Sequence, residues 1–293
     1  MTGDFDPPIS ALREVVARAL AEDLGVLGDL TSTALIPADA AGTGHFVARR
    51  PGIVAGTAAA TEVFAQLDPA VTVTWAAADG DRVSAGQRIG TVSGPLRSLL
   101  TGERSALNFL GHLSGIATLT RAHVDAAATG DGGRGRIRDT RKTTPGLRAL
   151  EKAAVRAGGG SNHRGNLSDA VLVKDNHLRH LSSAGGPGAG AIADAVERAR
   201  SRWPGVAVEV EADTLDQVSE AKAAGADIIL VDNMTPDEVA KAVAIADGTV
   251  PIEVSGRVTL DTVAAYAAAG ADLISVGALT HSAPVLDIGL DLE

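Results

Sequence analysis

The sequence predicts an α/β protein, with a closed or nearly closed parallel β/α barrel following a smaller domain of mixed helix and strand. An internal repeat is the first support. TLDQVSEAKAAGADIILVDN begins at Thr214 and TLDTVAAYAAAGADLISVGA at Thr259, and their AGAD tetrads at Ala224 and Ala269 are 45 residues apart. Each copy reads as a helix, a glycine cap and an apolar strand. The second support is what lies between the copies, another helix (Pro236 to Ala246) and another strand (Pro251 to Val254). The period is two βα units, and repeated βα units imply a parallel sheet. The third is that six strand-like runs each end in a polar residue or glycine.

The elements follow in chain order. PPISALREVVARALAEDLG reads as a helix, with Pro8 near its start and Gly25 past its end. GTGHFVARR, VTVTWAA and RIGTVSG read as short strands of a small β-sandwich-like domain. GDRVSAGQRIG, Gly80 to Gly90, resembles the tight turn of a biotinyl or lipoyl carrier, but such a carrier needs a hairpin lysine and none is present. A long helical region from Leu99 to about Ala128 is expected to break near Gly115, and TGDGGRGR (Thr129 to Arg136) to form a loop.

Composition narrows the function classes. The 293 residues are 45% hydrophobic and only 2% aromatic, so the core is aliphatic. Charged residues at 21% and a mean hydropathy of +0.14 exclude a disordered chain. With no cysteine there is no disulfide, thiolate metal site or cysteine nucleophile, which suits a cytoplasmic protein. No signal peptide and no membrane span are expected. A net charge of -10, without a basic stripe interleaved with aromatics, argues against a nucleic-acid partner.

The strand ends then carry the chemistry. RIRD leads to Thr140, Arg141 and Lys142; AVLV to Lys174, Asp175 and Asn176; VAVEV to Glu211; DIILV to Asp232 and Asn233; PIEV to Ser255 and Gly256; LISV to Gly277 and Ala278. In a β/α barrel these C-terminal strand ends form the active-site face. Arg141, Lys142, Arg164 and Lys174 fit a small ligand with more than one negative charge. The alternative is an ion-pair network with Asp139, Glu151, Asp169 and Asp175. Arg148, Lys152 and Arg156, spaced by four, read as a solvated helix face. Glu211 and Asp232, on adjacent strands, suggest Mg²⁺, which is held by one or two carboxylates plus phosphate oxygens. Glu209 rivals Glu211, since residues two apart share a strand face, but Glu211 lies nearer the strand end. Ser255-Gly256 and Gly277-Ala278 fit a phosphate bound through backbone N–H groups. The face should hold a carboxylate-bearing molecule, a divalent cation and a phosphorylated molecule.

Beyond these readings, EDLGVLGDLTS, ERSALNFLGHLSGIAT, DTRKTTPGLR, GGGSNHR, LSDAVLVKDNH, VEVE, VDN, EVSG and VGALTHS together resemble the quinolinate phosphoribosyltransferase family over nearly the whole chain. The resemblance implies an α+β open-sandwich domain over 1–115, to which a tail at 283–293 returns, and an incomplete TIM-like β/α barrel over 116–282. It implies a homodimer in which Arg104 reaches the neighbouring site. Quinolinate would be met by Thr140, Arg141, Lys142, His163, Arg164 and Lys174. Glu211 and Asp232 would lie near the ribose and Mg²⁺-pyrophosphate, binding metal directly or through pyrophosphate and water. Ser255, Gly256, Gly277, Ala278 and His281 would serve the 5′-phosphate of phosphoribosyl pyrophosphate (PRPP). Lys142, Lys174, Glu211 and Asp232 would be catalytic, in a decarboxylating transfer that supplies NAD biosynthesis and needs no organic cofactor. Two positions depart from the family's pattern. Asn166 stands where glycine is usual, and Arg257 where a small or neutral residue is common. The competing readings are a paralogous phosphoribosyltransferase acting on another aromatic acid and a non-catalytic phosphometabolite-binding barrel.

Overall fold

The computed structural model describes residues 5–129, 135–185 and 190–293. Of the loop expected over Thr129 to Arg136, residues 130–134 lie outside the described residues. Along the chain run α1 (Ile9–Leu24), α2 (Leu30–Leu35), β1 (Ala41–Ala48), β2 (Gly52–Ile53), α3 (Thr57–Leu67), β3 (Thr72–Trp75), β4 (Arg82–Val83), β5 (Arg88–Pro95) and α4 (Leu96–Ala128). There follow β6 (Arg136–Arg138), α5 (Arg148–Ala157), β7 (Val171–Val173), α6 (Asp175–Gly185), α7 (Ala191–Arg202), β8 (Val208–Ala212), α8 (Leu215–Ala223) and β9 (Ile228–Asp232). The last elements are α9 (Pro236–Ala246), β10 (Ile252–Ser255), α10 (Val263–Ala268), β11 (Leu273–Ser275), α11 (Ala278–His281) and β12 (Ile288–Leu292). Contacts divide the chain into two compact units, Met1–Arg121 with Lys142–Gly160 and Ala278–Glu293, and Ala122–Arg141 with Ser161–Gly277. Lys142–Gly160, which lies inside 116–282, thus packs within the first unit.

The first unit is α+β. In α1, Leu12, Val15, Val16 and Leu20 are buried at helical spacing, and the helix runs from Pro8 to Gly25 as its punctuation predicts. An antiparallel sheet has the order β12-β1-β5-β3. In β1, Phe46 and Ala48 point inward, and Phe46 stacks on Trp75 with ring centroids 5.1 Å apart. β12 pairs along β1 from Gly44↔Leu292 to Ala48↔Ile288.

Two expectations fail here, each for a packing reason. α4 is continuous through Gly115. A Cβ at Gly115 would fall on the carbonyl of Pro284, and Leu286 N–H donates to the Gly111 carbonyl at 3.0 Å. The glycine allows close approach of a neighbouring segment; it does not break the helix. α5 is not a solvated face either. Lys152 is buried, Arg148 Nε donates to Thr143 Oγ1 at 3.0 Å, and Arg156 donates to the carbonyls of Phe5 and Asp6.

The second unit is α/β. Among its described residues the strands form one parallel sheet of order β6-β11-β10-β9-β8-β7. β6 and β7 do not pair, so the barrel is incomplete. Its core is aliphatic: Ile137, Val173, Val208, Val210, Ile229, Val231, Ile252, Val254 and Ile274 are all buried. The sequence repeat has a structural purpose. Asp227 and Asp272, ending the two AGAD tetrads, accept from Val208 N at 2.7 Å and Ile252 N at 2.9 Å. Each aspartate pins the first residue of β8 or β10, setting strand register. α9 opens on a capping box, with Thr235 and Glu238 bonded reciprocally and Pro236 in the first turn. Among the described residues no helix is long and apolar enough to cross a membrane.

Replacing Gly115 with alanine should lower stability by roughly 1–3 kcal/mol, the usual cost of overpacking. Urea denaturation should show a lower midpoint with an unchanged slope; a wild-type midpoint would refute the close-approach account.

Candidate active site

The parallel sheet brings the C-terminal ends of its strands to one side, and Asp139 follows the first of them. Its side chain is fully buried. It accepts from His163 N at 2.8 Å and from Asn162 Nδ2 at 2.5 Å. Ser161 N donates to the Ile137 carbonyl at 2.8 Å, and Arg138 and Ser161 form a parallel bridge. The SNHR segment is thereby held along the edge of β6.

Beneath it lies a buried ionic cluster. Arg138 Nη1 donates to Glu253 Oε2 at 2.5 Å, and Glu253 is fully buried. Ser275 Oγ is hydrogen-bonded to Glu253 Oε1. His163 Nε2 lies 3.0 Å from Glu209 Oε2 and 3.6 Å from Glu253 Oε1. Burial, and then Glu209 nearby, push the Glu253 carboxyl above the usual range; Arg138 and His163 act the other way. His163, Glu209 and Glu253 offer ligand atoms within 4.8 Å of one another. Their chemistry is that of an internal ion cluster, because Arg138 and Ser275 already engage Glu253.

Arg141, Arg164 and Lys174 belong to the same unit as this cluster. Arg141 and Arg164 are half-buried. Arg164 Nη1 donates to the Ala170 carbonyl at 3.0 Å. Burial lowers the Arg164 pKa from the usual arginine range, and the positive charge of Arg141 adds to the effect. Glu209 and Asp169 act the other way, so carboxylates of the protein already offset part of this repulsion. Lys174 Nζ pairs with Glu211 Oε2 at 2.9 Å, so this lysine meets Glu211 and not the acids weighed as its counter-ions. Thr140 is half-buried.

The acidic and small groups occupy neighbouring strand ends. Glu209 lies deep on β8 and Glu211 nearer the rim, with its side chain 11% exposed. Asp232 ends β9, in register with Ser255 at the end of β10. Asp232 Oδ2 accepts from Asn233 Nδ2 at 2.6 Å, and Asn233 N donates to the Ser255 carbonyl at 3.0 Å. Gly256 has φ +89°, and a Cβ there would come 2.9 Å from Asn233 N. This close turn admits only glycine. Gly277 is half-buried just beyond β11.

The remaining candidates belong to the first unit. Arg104 is exposed on α4, and Ala278 opens α11. Lys142 is exposed, and its carbonyl accepts from Thr280 Oγ1 at 2.8 Å. His281 is exposed, with Nδ1 2.6 Å from Ser282 Oγ.

The two departures resolve differently. Asn166 stands where glycine is usual, yet it is not among the positive-φ residues. Its side chain instead makes an Asx turn, accepting from Ser168 N at 2.7 Å. Arg257 is exposed and left-handed at φ +53°. Arg138, Asn162, Glu253 and Ser275 were not singled out from the sequence. A cue existed for Glu253, which is two residues before Ser255 and shares its strand face.

Comparison with known proteins gives the family and the fold. Residues 29–114 match the family described as quinolinate phosphoribosyl transferase, N-terminal domain, and residues 116–291 match its C-terminal domain. The chain is 43% identical over 292 residues to a nicotinate-nucleotide pyrophosphorylase (carboxylating) of Mycobacterium leprae, covering 98% of this chain and 99% of that one. It is 41% identical over 301 residues to a chloroplastic protein of that name from Arabidopsis thaliana, covering 98% and 84%. A solved nicotinate-nucleotide pyrophosphorylase from Francisella tularensis superposes with a TM-score of 0.90 at 38% identity, covering 100% of both chains.

Glu253 supplies a pH test. Its carboxyl is raised in the folded state, so its contribution is fully present below the ordinary glutamate value and is lost as pH rises through the folded value. Glu253→Gln keeps an acceptor for Arg138 and cannot ionise. Urea midpoints should therefore shift in favour of the variant, relative to wild type, as pH rises from acid to neutral. A difference independent of pH would show that Glu253 is not raised.

Proposed function

The chain belongs to the quinolinate phosphoribosyltransferase family, and we propose that it transfers the phosphoribosyl group of PRPP to quinolinate with loss of CO₂. The products are nicotinate mononucleotide, pyrophosphate and CO₂, in the service of NAD biosynthesis. The observation that carries this reading is that an acidic chain brings Arg141, Arg164 and Lys174 together in its second unit, a cationic set that suits an anion with more than one charge.

The residues divide the work as follows. Arg141 and Arg164, with Lys142, Lys174 and Thr140, bind the two carboxylates and orient the pyridine nitrogen toward C1 of the ribose. His163 lies beside them. Ser255, Gly256, Gly277, Ala278 and His281 take the 5′-phosphate, the glycines letting backbone N–H groups approach. As pyrophosphate departs, C1 gains oxocarbenium character, and Glu211 and Asp232 lie on the ribose side. The nitrogen lone pair forms the new bond to C1 while the electrons of the C1–O bond leave with pyrophosphate. The resulting pyridinium accepts the electron pair released when the adjacent carboxylate leaves as CO₂, and a proton takes its place on the ring. Positioning and electrostatics suffice, so no protein nucleophile is needed.

Glu211 and Asp232 fit Mg²⁺ by the chemistry of the donors: two partly exposed carboxylates at adjacent strand ends, beside a phosphate turn. When bound, the ion would neutralise charge on pyrophosphate. Lys174, now paired with Glu211, is free to exchange that partner for a substrate carboxylate. Nicotinate, with one carboxylate, would leave a cationic donor unpaired, a penalty of roughly 1–3 kcal/mol. Arg104, exposed on α4, completes the site of a second subunit in a homodimer.

The test is an endpoint assay with quinolinate, PRPP and Mg²⁺, read by mass spectrometry. Nicotinate mononucleotide should form, and not when Mg²⁺ is omitted; no product would overturn the proposal. In the same series, calorimetry on Arg141→Ala should show quinolinate affinity reduced by about 1.5–3 kcal/mol, the range for a hydrogen bond to a charged group. Unchanged affinity would remove Arg141 from the pocket. Mixing inactive Arg104→Ala and Arg141→Ala proteins should restore activity through hybrid dimers holding one intact site. A mixture as inactive as its parents would sink the shared-site arrangement.

A further inference from the structure

Burial and Arg141 oppose the charge of Arg164, and Glu209 and Asp169 offset part of that opposition. Its backbone shows one restraint: Arg164 N–H donates to His163 Nδ1 at 2.7 Å. A ring nitrogen that accepts a hydrogen bond carries no proton. His163 is therefore the Nε2–H tautomer, and that proton needs an acceptor in dry surroundings. The side chains of His163 and Glu209 are only 8% and 4% exposed. Glu209 Oε2, at 3.0 Å, is the acceptor. Glu253 Oε1 stands behind it at 3.6 Å from Nε2, held by Arg138 and Ser275. β8, β10, β6 and β11 each supply one member of this support, so the imidazole is fixed by the sheet itself.

We infer that Glu209, backed by Glu253, Arg138 and Ser275, is a positioning residue of the dicarboxylate pocket: it fixes His163 as the Nε2–H tautomer, so that Nδ1 accepts the Arg164 N–H and the Arg164 guanidinium stays beside Arg141. The inference rests on the reading that Arg141 and Arg164 receive the aromatic dicarboxylate. The opposite tautomer would set Nδ1–H against the Arg164 N–H and leave a buried carboxylate without its donor, a doubly unfavourable arrangement. His163 acts here through its hydrogen bonds, Nδ1 accepting from the Arg164 N–H and Nε2 facing Glu209. Its contribution to binding is made through the backbone of its neighbour.

The tautomer is read first, by ¹⁵N histidine NMR on the wild-type protein without substrates, the signal assigned with His163→Gln. Nδ1 should be unprotonated and Nε2 protonated; a protonated Nδ1 overturns the inference. Two variants follow. Glu209→Leu removes the acceptor. Glu209→Gln keeps an acceptor oxygen, and its amide nitrogen can take the place of Glu209 Oε1, which is buried with no hydrogen-bond partner among the described residues. Glu209→Leu should raise the quinolinate KM roughly tenfold or more, the scale on which misplacement costs binding, with the PRPP KM unchanged. Glu209→Gln should remain close to wild type. Equal losses for both substrates, or a glutamine variant as impaired as the leucine one, would overturn the inference. If Glu209→Leu does not fold, the tautomer and the glutamine variant still decide. A wild-type protein that forms no product counts against the functional reading alone, because the NMR measurement needs no substrate.

Discussion

Asp139 is fully buried, and a buried carboxylate is stable only when its lone pairs are met by donors. It meets the backbone N–H of His163 and the side-chain amide of Asn162. Much of the site follows from that requirement. Among the described residues β6 has β11 on one side and no named strand on the other, so its outer edge would present unpaired backbone groups. The segment beginning at Ser161 covers that edge, through the Arg138–Ser161 bridge and the bonds to Asp139. Once that segment is in place, His163 reaches Glu209 on β8 and Arg164 comes beside Arg141. The incomplete barrel converts a missing strand pairing into a platform for binding groups.

The charge pattern of the chain has two parts. Overall it is acidic, at -10, while Asp139 to His177 is rich in Arg and Lys. Arg148, Lys152 and Arg156 belong to the first unit, where Arg148 and Arg156 bond to Thr143 and to backbone near the N-terminus. Arg141, Arg164 and Lys174 belong to the second unit, Arg141 after β6, Lys174 after β7 and Arg164 in the segment between α5 and β7. One basic stretch of sequence is thus divided between two units, part of it fastening a helix and part of it joining the second unit. An acidic surround with a local cationic site favours a specific small anion over a polyanionic surface.

How much of this was legible follows from physical range. Strand ends were readable because βα periodicity places polar residues there, and α1 and α9 were readable because Pro8, Gly25 and Pro236 mark their limits. Side chains that depend on distant partners were not. Arg138 and Glu253 look like ordinary strand residues until the sheet brings them within hydrogen-bond distance across 115 positions. Gly115 read as a breaker because its neighbour, Pro284, is remote in sequence. Lys152 read as exposed because spacing alone cannot say which side of a helix is covered. Asn166 read as a substitute for glycine, whereas its amide oxygen forms a turn of its own.

The pairing of β12 with β1 has a consequence for how the protein emerges from the ribosome. Four of the residues closing the first sheet onto β1, Leu290, Gly289, Ile288 and Asp291, are translated after the entire second unit. Until they appear, one side of β1 stays unpaired while more than two hundred residues are added, an interval of at least about ten seconds at roughly 5–20 residues per second. The nascent first unit therefore carries an open strand edge through most of synthesis, the kind of surface that chaperones cover. Its final closure waits for the chain's last strand, so the two units mature in the reverse of the order in which their first residues are made.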